Sequence, residues 1–165
     1  MTYFELFSIP VQLKVDTKKL MPFFIQLSRQ FHPDYFAGAS EEEQAESLQK
    51  SALLNSAWKT FQSPDETLKY VLSLKGLLET DEKYQLDPSF LMEVMELNEK
   101  IMEGDESPAS LEEQLNALYG SIYENVASTI ENYQEGVTSE KELLQAKEYY
   151  YQKKYLDRIK SGLQN

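Results

Sequence analysis

Leu111, Leu115, Leu118, Ile122, Val126, Ile130 and Tyr133 follow one another at steps of three and four residues. That spacing lines one side of an α-helix and matches no strand. Similar steps recur along the chain, and alternating strand patterns are almost absent, so an all-α fold is expected. End signals divide it into helices. Tyr3–Phe7 reads as a short helical turn. Asp16 can cap a helix reaching about Phe31, with Leu20, Phe23, Phe24, Leu27 and Phe31 apolar, although Pro22 removes one backbone bond and invites a kink. Ser40 with Glu43 forms a capping box for a third helix, reaching about Gln62, whose second half carries Leu54, Ala57, Trp58 and Phe61. Ser63-Pro-Asp-Glu66 opens a fourth that Gly76 closes. Asp87-Pro88 opens a fifth that Gly104 closes. Ser107-Pro108 opens a sixth, expected to run to Gly136. Ser139 with Glu142 caps the last, with Leu143, Leu156, Ile159 and Leu163 on its apolar side.

Composition narrows the chemistry. The 165 residues are 41% apolar, enough for a real core. Zero Cys excludes disulfides, thiolate zinc sites, Cys-ligated clusters and Cys nucleophiles, and one His excludes two-His metal sites. No bound cofactor is expected. A net charge of −12 argues against nucleic acid as a partner. With no stretch near the ~20 apolar residues of a membrane helix and no visible signal peptide, a cytoplasmic protein with no membrane partner is expected. The charge is uneven: residues 1–76 carry a net of −1 and residues 77–165 a net of −11. Two units with different partners follow from this, residues 1–76 and residues 87–165, joined by a polar linker over 77–86. The second reads as three antiparallel helices with short loops.

Two features point to function. The tripeptide His32-Pro33-Asp34 falls where the second helix must stop, because Pro33 disfavours helical geometry at His32. On three letters alone, these are equally well ordinary loop residues capping helix ends. The fifth helix has two apolar faces. Phe90, Val94, Leu97 and Ile101 share one, while Leu91, Met92, Met95 and Met102 lie roughly opposite with Glu96 and Glu99. A bundle needs one such face. The second is free either to pack on the first unit or to stay exposed for a partner, where Met side chains adapt and carboxylates favour a basic surface. The Tyr149-Tyr150-Tyr151 run is read as packing, and Glu41–Glu43 as a helix N-terminus that favours negative charge.

Helix, His-Pro-Asp, loop, long helix with Ala57-Trp58, then a short helix resembles a J-domain. Tyr3-Phe-Glu-Leu-Phe7, Arg29-Gln-Phe-His-Pro-Asp34, Asn55-Ser-Ala-Trp58, Tyr70–Gly76 and Phe90-Leu-Met-Glu-Val-Met-Glu-Leu97 resemble the HscB co-chaperone family. The resemblance covers nearly the whole chain, its motifs lying within about the first 100 residues. It implies a J-domain hairpin followed by a three-helix bundle. It also implies that His32, Pro33, Asp34 and Arg29 dock on a DnaK-type (HscA-like) chaperone and stimulate its ATPase. It implies further that Leu91, Met92, Met95, Glu96, Glu99 and Tyr155 bind an IscU-like iron–sulfur cluster scaffold protein. Departures from the family pattern are Tyr35 where a Lys is common, Gln26 and Gln30 where J-domains are often basic, Met95 for a Leu and Lys154 for an Arg. Lys18 and Lys19 are read as a solvated helix start. The chain is expected to be no enzyme, since no carboxylate is spaced with a base, nucleophile or metal cluster. A J-domain protein for another client, and a helical adaptor without chaperone role, are the alternatives.

Overall fold

The computed structural model describes residues 1–164, and among these every regular element is helical. The helices are α1 (Tyr3–Phe7), α2 (Thr17–Gln30), α3 (Glu41–Phe61), α4 (Pro64–Leu74), α5 (Pro88–Glu103), α6 (Pro108–Glu124), α7 (Ala127–Glu131) and α8 (Glu140–Gln164), with a 3-10 turn over Pro33–Phe36. The chain divides into two compact units, Met1–Val71 and the remainder from Leu72. No helix among the described residues is long and apolar enough to cross a membrane.

In the first unit, α2 and α3 form a hairpin. Asp16 caps α2 by accepting from the Lys18 and Lys19 amides, and Ser40 caps α3 by accepting from the Glu43 amide at 3.2 Å. Phe24 of α2 stacks on Trp58 of α3 with ring centroids 4.6 Å apart. Leu20, Leu54, Ala57 and Phe61 are buried. Short α1 closes the core from one side: Phe4 and Phe7 pack on Phe61, and Tyr3 stacks on Tyr70 while its amide donates to the Tyr70 hydroxyl. As expected, α2 runs on through Pro22, but one expectation needs adjustment. Phe23, expected on the packed stripe, is exposed: it lies at the edge of that stripe, about 100° around the helix from Phe24, which takes the place against Trp58.

In the second unit, α5, α6 and α8 supply the core. Phe90, Val94 and Leu97 of α5, Leu111, Leu115 and Ile122 of α6, and Leu143, Ala146, Tyr150 and Leu156 of α8 are buried, and α6 packs against both α5 and α8. Asp87, Ser107 and Ser139 each cap their helix, and Gly104 closes α5 at φ 72°, a left-handed geometry that glycine adopts without strain. The single sixth helix expected from the apolar steps is instead two. The chain leaves helical geometry at Val126 (φ −126°, ψ 1°) and restarts as α7. The steps explain the break. From Leu118 to Ile130 they are all of four, so a straight helix would rotate Ile130 by about 120° off the face. Breaking at Asn125-Val126 lets Ile122, Val126 and Ile130 all be buried.

The stretch preceding α5 is pinned to α8. Lys147 Nζ donates to Glu82 at 2.7 Å, the Tyr151 hydroxyl donates to Glu82 at 3.0 Å, and Tyr84 stacks on Tyr151 with centroids 4.5 Å apart. The Tyr84 hydroxyl donates to Glu148, which also accepts from the Asp87 amide at 3.0 Å. The hydrogen bond from Lys147 holds the Glu82 carboxyl below its ordinary value near 4.5, against the opposing effect of burial. Burial and the bond to Glu82 push Tyr151 up to about 12.

Glu82→Gln removes the countercharge of a lysine that is almost wholly buried. The expected cost is about 2 kcal/mol, below the roughly 3–5 kcal/mol of a fully buried pair, because Glu82 keeps 23% of its side chain accessible. The Glu82 contribution is present above the unfolded carboxyl value near 4.5 and is lost as pH falls through the lowered folded value. Urea unfolding of wild type and Glu82→Gln at neutral pH and in acid checks this: the gap should narrow in acid.

Candidate functional site

The first site is built by the way α2 ends. Pro33 has no amide hydrogen and holds His32 extended (φ −62°, ψ 129°), so the helix stops at Gln30 and the chain turns into the 3-10 segment. His32 Nδ1 accepts the Asp34 amide at 3.2 Å. With Nδ1 as acceptor, the neutral ring carries its proton on Nε2, away from the turn and available to a partner. The Asp34 carboxylate, 3.6 Å from Nδ1 and 90% exposed, is an open acceptor for a charged donor. Arg29 stands one turn back on α2. Ser28, Arg29, His32, Asp34 and Tyr35 line one shallow depression, and Pro33 links His32 to Asp34 in the chain. Thus the four residues expected to act together are together, and Tyr35 joins them.

The hairpin fixes this turn from behind. Buried Ser47 of α3 donates its hydroxyl to the Phe31 carbonyl at 3.3 Å, and Lys50 Nζ lies 5.6 Å from the centre of the Phe31 ring. Ser47→Ala leaves that carbonyl without its side-chain donor. We expect a loss of about 1 kcal/mol, read by urea unfolding with Trp58 fluorescence, the chain's single Trp and a direct neighbour of Phe24.

The second site is the outer side of α5. Phe90, Val94 and Leu97 face the core. Met92 and Met95 are 65% and 59% exposed, with Glu96, Glu99 and Met102 also exposed beside them. Leu91, at the edge of this stripe, is half-buried. It lines an open groove of about 840 Å³ with Tyr84, Tyr151, Lys154, Tyr155 and Arg158. Tyr155 meets Phe90 edge-on, centroids 6.4 Å apart, and Lys154 lies over the Tyr150 ring. The expected residues therefore fall in two adjoining places. Met92, Met95, Glu96 and Glu99 form a raised acidic–thioether stripe, while Leu91 and Tyr155 belong to the groove beside it.

The chain is similar to known proteins over nearly all its length. The crystal structure of human co-chaperone protein HscB matches with 32% identity and a TM-score of 0.76, covering 99% of this chain and 81% of that one. Chaperone HscB from Vibrio cholerae matches with 33% identity and a TM-score of 0.66, covering 99% of this chain and 96% of that one. This chain belongs to the HscB family of co-chaperones. The family model of the HSCB C-terminal oligomerisation domain matches residues 86–164, the span that holds α5 to α8. The J-domain hairpin and the helical bundle expected from the sequence are those of HscB structures.

Reading the sequence missed the clasp between the 82–84 stretch and α8, and with it one wall of the groove. Glu82 and Lys147 are 65 residues apart, and no local pattern links them. A signal was available in the Tyr149–Tyr151 run: two of its rings are buried, and the third, Tyr151, is half-buried against Tyr84.

Proposed function

We propose that this protein is a co-chaperone for iron–sulfur cluster assembly. Its His-Pro-Asp turn stimulates the ATPase of a DnaK-type, HscA-like chaperone, and the outer side of α5 presents an IscU-like scaffold protein to that chaperone. Membership of the HscB family gives the class of activity. The observation that carries the finer reading is the exposure of Met92 and Met95 on a helix whose other side already fills the core. Flexible thioethers flanked by Glu96 and Glu99 suit a partner surface that is apolar with a basic rim.

The mechanism is one of contact. The Asp34 carboxylate accepts from a cation on the chaperone, the outward Nε2–H of His32 donates beside it, and Arg29 adds a positive charge one turn away. Pro33 holds the two side chains in one geometry, so little ordering entropy is lost on docking. The chain has no Cys and supplies no thiolate to a cluster. The cluster is cargo, ligated by the scaffold.

Titration calorimetry of the scaffold into the intact protein tests the client assignment. A 1:1 complex that weakens when Glu96→Lys and Glu99→Lys are introduced is expected. The same affinity for wild type and the charge-reversed variant would remove α5 from the interface.

A further inference from the structure

The surface leading to the His-Pro-Asp turn is short of charge in a definite place. Lys18 and Lys19 sit in the first turn of α2 and Arg29 in its last. The ten residue steps from Lys19 to Arg29 span about 15 Å along the axis. Between them, Met21 and Ile25 are 49% and 44% exposed. Met21, Ile25, Ser28 and Arg29 are spaced by four, three and one, which puts them on one stripe of the helix. That stripe runs straight into the depression lined by Ser28, Arg29, His32, Asp34 and Tyr35. At its far edge Tyr35 is 74% exposed. Lys18, three residues before Met21 and seven before Ile25, opens the same stripe, so the apolar surface lies between that cation and the charged centre formed by Arg29, His32 and Asp34, with Tyr35 on its other side.

Resting on the reading that the His-Pro-Asp turn docks on a DnaK-type chaperone, we propose that this docking is predominantly apolar. Met21, Ile25 and Tyr35 are contact residues, and they fit a chaperone face that is apolar around one basic group. A strongly acidic face would lose hydration against Met21, Ile25 and the Tyr35 ring without gaining a countercharge from them. An apolar face gains area from all three, and the basic group meets Asp34. Association carried by apolar area responds little to salt, whereas ion pairing across an exposed surface is screened within a Debye length of about 10 Å at 0.1 M salt.

The experiment is the ATPase rate of the purified chaperone against concentration of the intact protein. Met21→Gln with Ile25→Gln should raise the half-maximal concentration about tenfold or more and leave maximal stimulation in place. Tyr35→Gln should act in the same direction. Phe23→Gln is the control for loss of any exposed apolar group: Phe23 is 54% exposed but about 200° around the helix from Ile25, and its variant should behave as wild type. Raising NaCl from about 50 to about 500 mM should shift the wild-type half-maximal concentration by less than about threefold. A steep salt dependence, or unchanged behaviour of both the Met21/Ile25 and the Tyr35 variants, overturns the proposal. His32→Gln separates its failure from that of the underlying reading. Loss of stimulation in that variant keeps the docking site and isolates the fault in the apolar contacts, whereas full stimulation removes the site and the inference with it.

Discussion

His32→Gln is expected to reduce chaperone ATPase stimulation to the unstimulated rate while leaving the protein folded. The imidazole has two jobs in the turn. Its Nδ1 accepts the Asp34 amide at 3.2 Å, and its Nε2–H faces out. A Gln amide can imitate one of these, but its flexible side chain does not hold donor and acceptor at the fixed separation of an aromatic ring. The Asp34 carboxylate then loses its registration with the donor beside it. The fold does not depend on the ring, because the side chain is 52% exposed and its hydrogen bond is to an amide only two residues away. A stability change within about 0.5 kcal/mol is expected, as for other surface substitutions. Steady-state ATP hydrolysis by the chaperone, with circular dichroism as the folding control, checks both halves. A folded variant with wild-type stimulation would show that the turn is an ordinary loop.

The second large effect belongs to α5. Replacing both Met92 and Met95 by Ala should weaken scaffold binding by about tenfold to a hundredfold, since each tenfold is about 1.4 kcal/mol and two exposed thioethers would otherwise be buried in the complex. Stability should hold or improve slightly: both side chains lie in solvent, and Ala is the better helix former. Stimulation of the chaperone in the absence of scaffold should match wild type. Calorimetry with the scaffold, beside the ATPase assay without it, separates the two surfaces. Normal scaffold binding by the double variant would leave the stripe without its client and favour a J-domain protein serving another one.

How much of this was legible in the amino-acid sequence depends on how local each cause is. Caps were, because Asp16, Ser63, Asp87 and Ser107 each bond an amide within three residues, and Gly76 and Gly104 mark left-handed ends. The His-Pro-Asp turn was legible for the same reason, since Pro33 alone dictates the conformation of His32. The break before α7 was not. The apolar steps run on through Val126, and only their slow rotation, visible once Leu118 and Ile130 must face one core, forces the chain to stop. Periodicity showed that α5 has two apolar faces but not which one is covered, and exposure of Met92 and Met95 is settled by packing. The clasp of Glu82, Lys147, Tyr84, Tyr151 and Glu148 joins segments more than 60 residues apart, and it separated Leu91 and Tyr155, in the groove, from the stripe on α5.

The central claim is that one molecule carries both surfaces, so that the scaffold arrives at the chaperone attached to the chain that triggers hydrolysis. Complementation in trans tests this most directly. The chaperone's ATPase rate is measured with scaffold and wild-type protein, then with scaffold and an equal mixture of His32→Gln and the Met92→Ala/Met95→Ala double variant. Each member of the mixture keeps one surface intact. The mixture is expected to reach the rate given by the double variant without scaffold, and to fall short of the higher rate that wild type reaches with scaffold present. A mixture that restores the full wild-type rate would contradict delivery by a single chain.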